Sequence, residues 1–175
     1  MKIVNFSEQN SVMNQYLAEI RDKDYQQNRL VFRNNIRRIG EMMAYEMSKT
    51  FDYKMKTVHT PLADAEVSVP TDDVVVATIF RAGLPFHNGF LDVFDHAGNA
   101  FVSAYRKYTN EEHTEVGIHI EYLATPDLTG KTLIIADPML ATGGSMELGY
   151  KAFLTKGTPK HVHVACVIAT PEGVE

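Results

Sequence analysis

The sequence predicts an α/β protein built on a mostly parallel sheet with flanking helices. Three observations carry this. The runs Val74-Val75-Val76-Ala77-Thr78-Ile79-Phe80 and Thr132-Leu133-Ile134-Ile135-Ala136 are apolar without clean alternation, as strands covered on both faces are. The second run passes through a tight loop into a helical pattern near 146–156, closed by Gly157, and then into a third apolar stretch at 162–169. Strand, helix, strand in that order implies a parallel right-handed crossover. A length of 175 residues is enough for one domain with its own core.

The elements follow in chain order. Val12, Met13, Tyr16, Leu17 and Ile20 recur at helical spacing. Phe32, Ile36, Ile39, Met43 and Met47 predict a longer second helix, which Gly40 weakens; the methionines read as core filler. Tyr53-Lys54-Met55-Lys56-Thr57 alternates like an edge strand. After the buried strand at 74–80, Phe86, Phe90, Val93 and Phe94 mark another helix. Residues 100–107 and 114–123 pair as a long hairpin, in which Val116, Ile118, Ile120 and Tyr122 alternate and Asn110-Glu111-Glu112 supplies a polar tip. No repeat, low-complexity tract or linker divides the chain, so residues 1–175 read as a single domain.

Composition removes several function classes. With 17 Lys and Arg against 22 Asp and Glu, the net charge is −5, whereas a sequence-independent nucleic-acid binder is usually basic. No run approaches the ~18 apolar residues of a membrane span. The N-terminus lacks the basic start and apolar core of a secretory signal, so no membrane partner is expected and the expected location is cytoplasmic. The single cysteine, Cys166, allows no disulfide within the chain and reads as a small buried hydrophobe in its apolar strand. The seven histidines show no metal-ligand spacing. His161 and His163 alternate on one strand and His119 falls on the hairpin; all are read as ordinary polar positions, with no metal ligand directly assigned.

The chemistry concentrates at two strand ends. Asp137 closes the 132–136 strand, where ligands of open α/β sheets bind, and offers a carboxylate to a polyol or a metal. The turn Ala141-Thr142-Gly143-Gly144-Ser145 can present backbone N–H groups and hydroxyls to a phosphate, with glycines permitting close approach and the following helix N-terminus favouring an anion. A bare Thr-Gly-Gly-Ser fits an ordinary βα turn; the fourteen-residue run from Thr132 is far more specific. It has neither the lysine of a Walker A loop nor the dinucleotide Gly-x-Gly-x-x-Gly. About fifty-five residues earlier, Ile79-Phe80-Arg81-Ala82-Gly83-Leu84-Pro85 places an arginine directly after a buried strand. Arg81 offers a fixed fork to phosphate oxygens at any relevant pH, although an arginine at a strand end is also compatible with plain solvation or a salt bridge.

Asp137-Pro138-Met139-Leu140-Ala141-Thr142-Gly143-Gly144-Ser145 resembles the phosphoribosyl-pyrophosphate (PRPP) loop of uracil phosphoribosyltransferases, in which Asp-Pro stands where most phosphoribosyltransferases carry two adjacent acids. Arg81-Ala82-Gly83-Leu84 resembles the pyrophosphate loop of the same family, in the family's order. The resemblance implies a type I phosphoribosyltransferase fold with a flexible β-hairpin arm. In that arm, Ser103-Ala104-Tyr105-Arg106-Lys107-Tyr108-Thr109-Asn110 would bring Arg106 to the PRPP pyrophosphate. The family often has Asp after this Arg; Lys107 stands there instead and takes no such role. Arg21-Asp22-Lys23, Arg33, Arg37-Arg38 and His59-Thr60-Pro61-Leu62 extend the likeness through the N-terminal half without a site role.

The resemblance further implies PRPP and uracil as substrates, Mg²⁺ as cofactor, homo-oligomers of dimer size or larger, and GTP as a possible effector. Catalysis falls on Asp137, Arg81 and Arg106; PRPP binding adds Ala82, Gly83, Pro138, Met139, Leu140, Ala141, Thr142, Gly143, Gly144 and Ser145. Family members continue past a segment like Ala169-Thr170-Pro171-Glu172-Gly173-Val174 into a helix, a strand and the uracil loop, so the C-terminal portion of the family fold is absent here and uracil contacts are expected beyond Glu175. Two other readings stay open: a PRPP- or nucleotide-binding regulatory protein of this fold, and an inactive fragment of it.

Overall fold

The protein is described here by a computed structural model. It covers the backbone of residues 2–108 and 116–175, and side chains outside 104–119. The expected polar tip at Asn110-Glu111-Glu112 and the flexibility of the arm fall outside the described residues.

Helices α1 (Met13–Arg21) and α2 (Arg29–Ser48) open the chain, followed by β1 (Tyr53–His59) and β2 (Asp64–Pro70). Then come β3 (Val74–Ile79), α3 (Leu84–Leu91), β4 (Gly98–Tyr108), β5 (Val116–Ala124), β6 (Thr132–Ala136), β7 (Met139–Leu140), α4 (Gly144–Leu154), β8 (His161–Ala165), β9 (Ile168–Ala169) and α5 (Pro171–Val174). Among the described residues the main sheet has the order β5-β4-β3-β6-β8. Its pairings are parallel except for the antiparallel β4–β5 ladder. No described helix is long and apolar enough to cross a membrane.

Burial follows from this order. Strands β3 and β6 are central, and every residue of both is buried, as their unbroken apolar runs require. One face packs Val74, Val76, Ile134 and Ala136 against Ile36, Ile39, Phe86 and Phe90 of α2 and α3. The other packs Val75, Ala77, Leu133 and Ile135 against Met146, Ala152 and Phe153 of α4. The chain crosses from β3 through α3 to β4 on one side, and from β6 through α4 to β8 on the other. Right-handed crossovers running in opposite directions place their helices on opposite faces.

The structure corrects one sequence expectation and adds to two others. The expected weakness at Gly40 is a close approach of two helices. A Cβ on Gly40 would lie 2.6 Å from the Phe86 carbonyl oxygen, and one on Gly89 would lie 2.1 Å from that of Arg37. The two glycines let α2 and α3 meet backbone to backbone, and Arg37 then pairs through Nε and Nη2 with Asp92 just past α3. The strand expected at 162–169 breaks after Ala165, because the Val167 and Ile168 amides both turn to the Pro138 carbonyl, each at 3.1 Å. Cys166 lies in this break, half-buried rather than enclosed in a strand. The 53–57 edge strand belongs to a separate hairpin: β1 pairs along its whole length with β2, which the sequence reading missed.

Gly89→Ala tests the helix crossing. Helix propensity alone favours Ala by about 1 kcal/mol. A Cβ against a backbone oxygen forces α3 to move, however, and overpacking of this kind costs about 1–3 kcal/mol. A net loss is expected, read as a lower urea midpoint at unchanged slope.

Candidate functional site

The opposed crossovers create a crevice between the C-terminal ends of β3 and β6. In open α/β sheets such a switch point is where ligands bind. The β3–β6 ladder runs from Val74 opposite Thr132 to Ala77 opposite Ile135, and then the strands part. The loop holding Arg81, Ala82 and Gly83 leaves on one side. The loop holding Asp137 leaves on the other. The structure thus brings together the two motifs that sequence separates.

A short polar junction closes the floor of the crevice. Thr78, fully buried, donates from Oγ1 to the Ala136 carbonyl at 2.8 Å. Gly83 is packed onto this pair: a Cβ there would sit 1.8 Å from Thr78 Oγ1 and 3.1 Å from the same Ala136 oxygen. On the far side of Arg81, the Phe80 amide donates to the Val102 carbonyl at 2.8 Å. The Phe80 ring stacks on Phe101 of β4 at 5.1 Å and on Tyr122 of β5 at 6.0 Å. Arg81 is therefore exposed on a loop anchored at both ends, and the Phe80–Arg81 peptide is cis. Among the described residues no carboxylate pairs with its guanidinium. Ala82 is exposed beside it, and Gly83 is buried.

Opposite, Asp137 is half-buried. Its amide donates to the Ala165 carbonyl at 3.1 Å, and its Oδ1 accepts the Met139 amide at 3.3 Å. Burial pushes the carboxyl above the usual Asp range, and the Met139 amide only partly offsets it. Burial, with Asp137 nearby, also pushes the Cys166 thiol up, away from thiolate chemistry. Pro138, Met139 and Leu140 lead into Ala141 and Thr142, both exposed. Gly143 turns the chain into α4 at φ 76°, a left-handed conformation that glycine adopts without penalty. Gly143 at the N-cap has no side chain to cap α4, so among the described residues its first-turn amides, with the exposed Ser145, suit an anion.

The sequence reading missed what holds this loop from behind. Strand β7 pairs in parallel with β9, Met139 opposite Ile168 and Leu140 opposite Ala169. Thr170 donates its amide to the Leu140 carbonyl at 3.0 Å and its hydroxyl to that of Ala141 at 2.5 Å. It also caps α5 by accepting the Gly173 amide. Arg106 lies on β4 opposite Ile118, but its side chain is outside the described residues.

Comparison with known proteins places this fold in a class. The fold is that of the phosphoribosyltransferases. A hypoxanthine phosphoribosyltransferase from Staphylococcus aureus shares it with a TM-score of 0.51 over 93% of this chain and 74% of that one, at 15% identity, a likeness of fold alone. The AQ2163 protein from Aquifex aeolicus is nearer, with a TM-score of 0.80 at 32% identity over 95% of this chain and 76% of that one.

The chain belongs to the uracil phosphoribosyltransferase family, whose profile matches residues 7–175. A uracil phosphoribosyltransferase from Porphyromonas gingivalis is 57% identical over 175 residues, all of this chain and 80% of that protein. One from Pyrococcus furiosus is 37% identical over 161 residues, 90% of this chain and 67% of that protein.

The raised Asp137 carboxyl gives a signed stability prediction. Because folding raises this pKa, Asp137 contributes most to stability below the ordinary value of 3.8, and that contribution is lost as pH rises through the folded value. Asp137→Asn keeps an acceptor for the Met139 amide and removes the buried charge. Without ligand it should raise stability at neutral pH, by less than about 1 kcal/mol because the group is partly solvated. The gain should vanish below pH 3.8. Thermal melts of both proteins across pH measure it.

Proposed function

We propose that this chain transfers the 5-phosphoribosyl group of PRPP to uracil, giving UMP and pyrophosphate in pyrimidine salvage, as one single domain over 1–175. The observation that carries the reading is the pair of loops facing one another across the β3–β6 crevice, one with an exposed arginine and one with an acid followed by a free helix N-terminus. The P. gingivalis relative supports the choice of base by its name.

In this reading the C1′–oxygen bond to pyrophosphate breaks as a bond from the base nitrogen to C1′ forms, and the base releases its N–H proton. Positive charge grows on the ribose and negative charge on the leaving oxygens, so preorganised charges of both signs lower the barrier. Arg81, with the Ala82 and Gly83 backbone and Arg106 from the arm, is assigned to the pyrophosphate. Asp137 holds the ribose 2′- and 3′-hydroxyls, and its ionised carboxylate offsets the charge on the sugar. Pro138, Met139, Leu140, Ala141, Thr142, Gly143, Gly144 and Ser145 wrap the 5′-phosphate, fixing C1′ for attack.

Magnesium fits this donor set as an ion carried by substrate. It keeps several waters and binds through one or two carboxylates plus phosphate oxygens. Asp137 is such a carboxylate, and among the described residues no group of three metal-binding side chains gathers into a cage. When bound, the ion neutralises charge on the pyrophosphate.

The proposal extends to a homo-oligomer. The β1–β2 hairpin forms a sheet of its own and exposes Met55, Val67 and, at its turn, Leu62. A two-stranded hairpin in water is marginal without something to pack on. A GTP effector is proposed on the resemblance, and a cytoplasmic location on the N-terminal sequence and the single cysteine.

Incubation with radiolabelled uracil and Mg-PRPP should yield labelled UMP, and its absence from folded protein would refute the reading. Calorimetry separates the roles of the two loops. Arg81→Ala should weaken PRPP more than ribose 5-phosphate, by about 2–4 kcal/mol, the loss typical of one member of a charge pair. Equal losses would move Arg81 off the pyrophosphate.

A further inference from the structure

We infer that Thr78 is a positioning residue for PRPP, setting the spacing of the two substrate loops through one shared atom, the Ala136 carbonyl oxygen. The inference rests on the proposed PRPP site and deepens it. Thr78 touches no substrate in this assignment; it acts through the backbone on either side.

Three features support it. The β3–β6 register ends at Ala77 opposite Ile135, one residue before Thr78 and Ala136. The Thr78 hydroxyl adds a side-chain tie there at 2.8 Å, from a residue with no solvent exposure. In such a site a hydroxyl without its acceptor, or a carbonyl without its donor, is costly, so the pair holds one geometry. The Ala136 carbonyl belongs to the peptide that enters Asp137, so fixing it constrains the start of the acid-bearing loop. Gly83, two residues after Arg81, packs against the same oxygen and the same hydroxyl, leaving no room for a Cβ. A displacement of the hydroxyl is therefore felt by both loops.

A ligand that spans the crevice depends on this spacing, and a ligand held by one loop does not. PRPP spans it in the proposed reading, whereas ribose 5-phosphate engages only the Asp137 side. The experiment compares the dissociation constants of wild type, Thr78→Val, Thr78→Ala and Thr78→Ser for both ligands with magnesium, alongside their melting temperatures. Val keeps the shape and removes the donor; Ala removes the donor without placing a methyl against Gly83; Ser keeps the hydroxyl.

The expected result is that Val and Ala weaken PRPP by about tenfold or more, as small misplacements of binding groups do, while ribose 5-phosphate changes by less than about twofold. Ser should bind both as wild type does. A structural role alone would lower the melting temperature and weaken both ligands alike. That outcome overturns the inference, as does unchanged PRPP binding in whichever of Val or Ala folds, or a Ser variant as impaired as Ala. Failure of the wild type to bind PRPP overturns the proposed site and this inference together. Wild-type binding with an unaffected Thr78→Ala overturns the inference alone.

Discussion

The reversal of strand order between β3 and β6 is the constraint on which the rest of the molecule depends. One crossover leaves to the left and the other to the right, so neither connecting loop covers the gap between the two strands. Handedness then sends α3 to one face and α4 to the other. Both central strands must be buried on both faces, and two cores form in place of one. The crevice comes from topology, and the loops on its rim need only supply charge and hydrogen bonds. Its floor is narrow enough that one hydroxyl bridges it.

Much of this was legible in sequence because it is written locally. The all-apolar runs of β3 and β6, the helical spacing of α1 and α2 and the alternation in β5 each depend on neighbours within a few residues. Asp137 and Arg81 stood out because each follows a long apolar run at a strand's C-terminal end and leads into small residues that can bring backbone amides to a ligand, and the family resemblance joined them. The pairings between distant segments were not legible. Nothing in Ile168-Ala169 announces that it lies beside Met139-Leu140, and the short alternation of β2 is diluted by its exposed, polar residues. Gly40 read as a local defect because its benefit lies on another helix. Thr78 had a visible signal, a lone hydroxyl in a run of buried aliphatic residues, but its acceptor is 58 positions away. Arg106 is marked in the sequence by likeness alone, and its backbone lies on β4 opposite Ile118.

Stability and chemistry pull against each other at Asp137. Its carboxyl is half-buried and accepts one long backbone hydrogen bond, so the protein without ligand bears a charge it solvates poorly. A site optimised for folding would place a neutral acceptor there. In the proposed mechanism the same under-solvated charge has open lone pairs for a sugar's hydroxyls and little water to displace. The α4 N-terminus follows the same logic, its first turn opening on Gly143, which has no side chain to cap it. Both features keep polar groups only partly satisfied at the place where a substrate carrying complementary groups is expected to settle.

The backing of the anion loop by β9 and Thr170 bears on how far this motif can be treated as a module. A loop defined by its signature, residues 137–145, looks like a cassette that could be moved between scaffolds. Here its carbonyls at Pro138, Leu140 and Ala141 are held by residues 167–170, a stretch that no signature includes. The unit that would have to be transplanted is therefore discontinuous: two segments of chain, in parallel register, separated by a helix and a strand. Insertions within that helix and strand would leave the unit intact only if they preserved the pairing, which makes α4 and β8 a spacer of fixed reach between a loop and its backing.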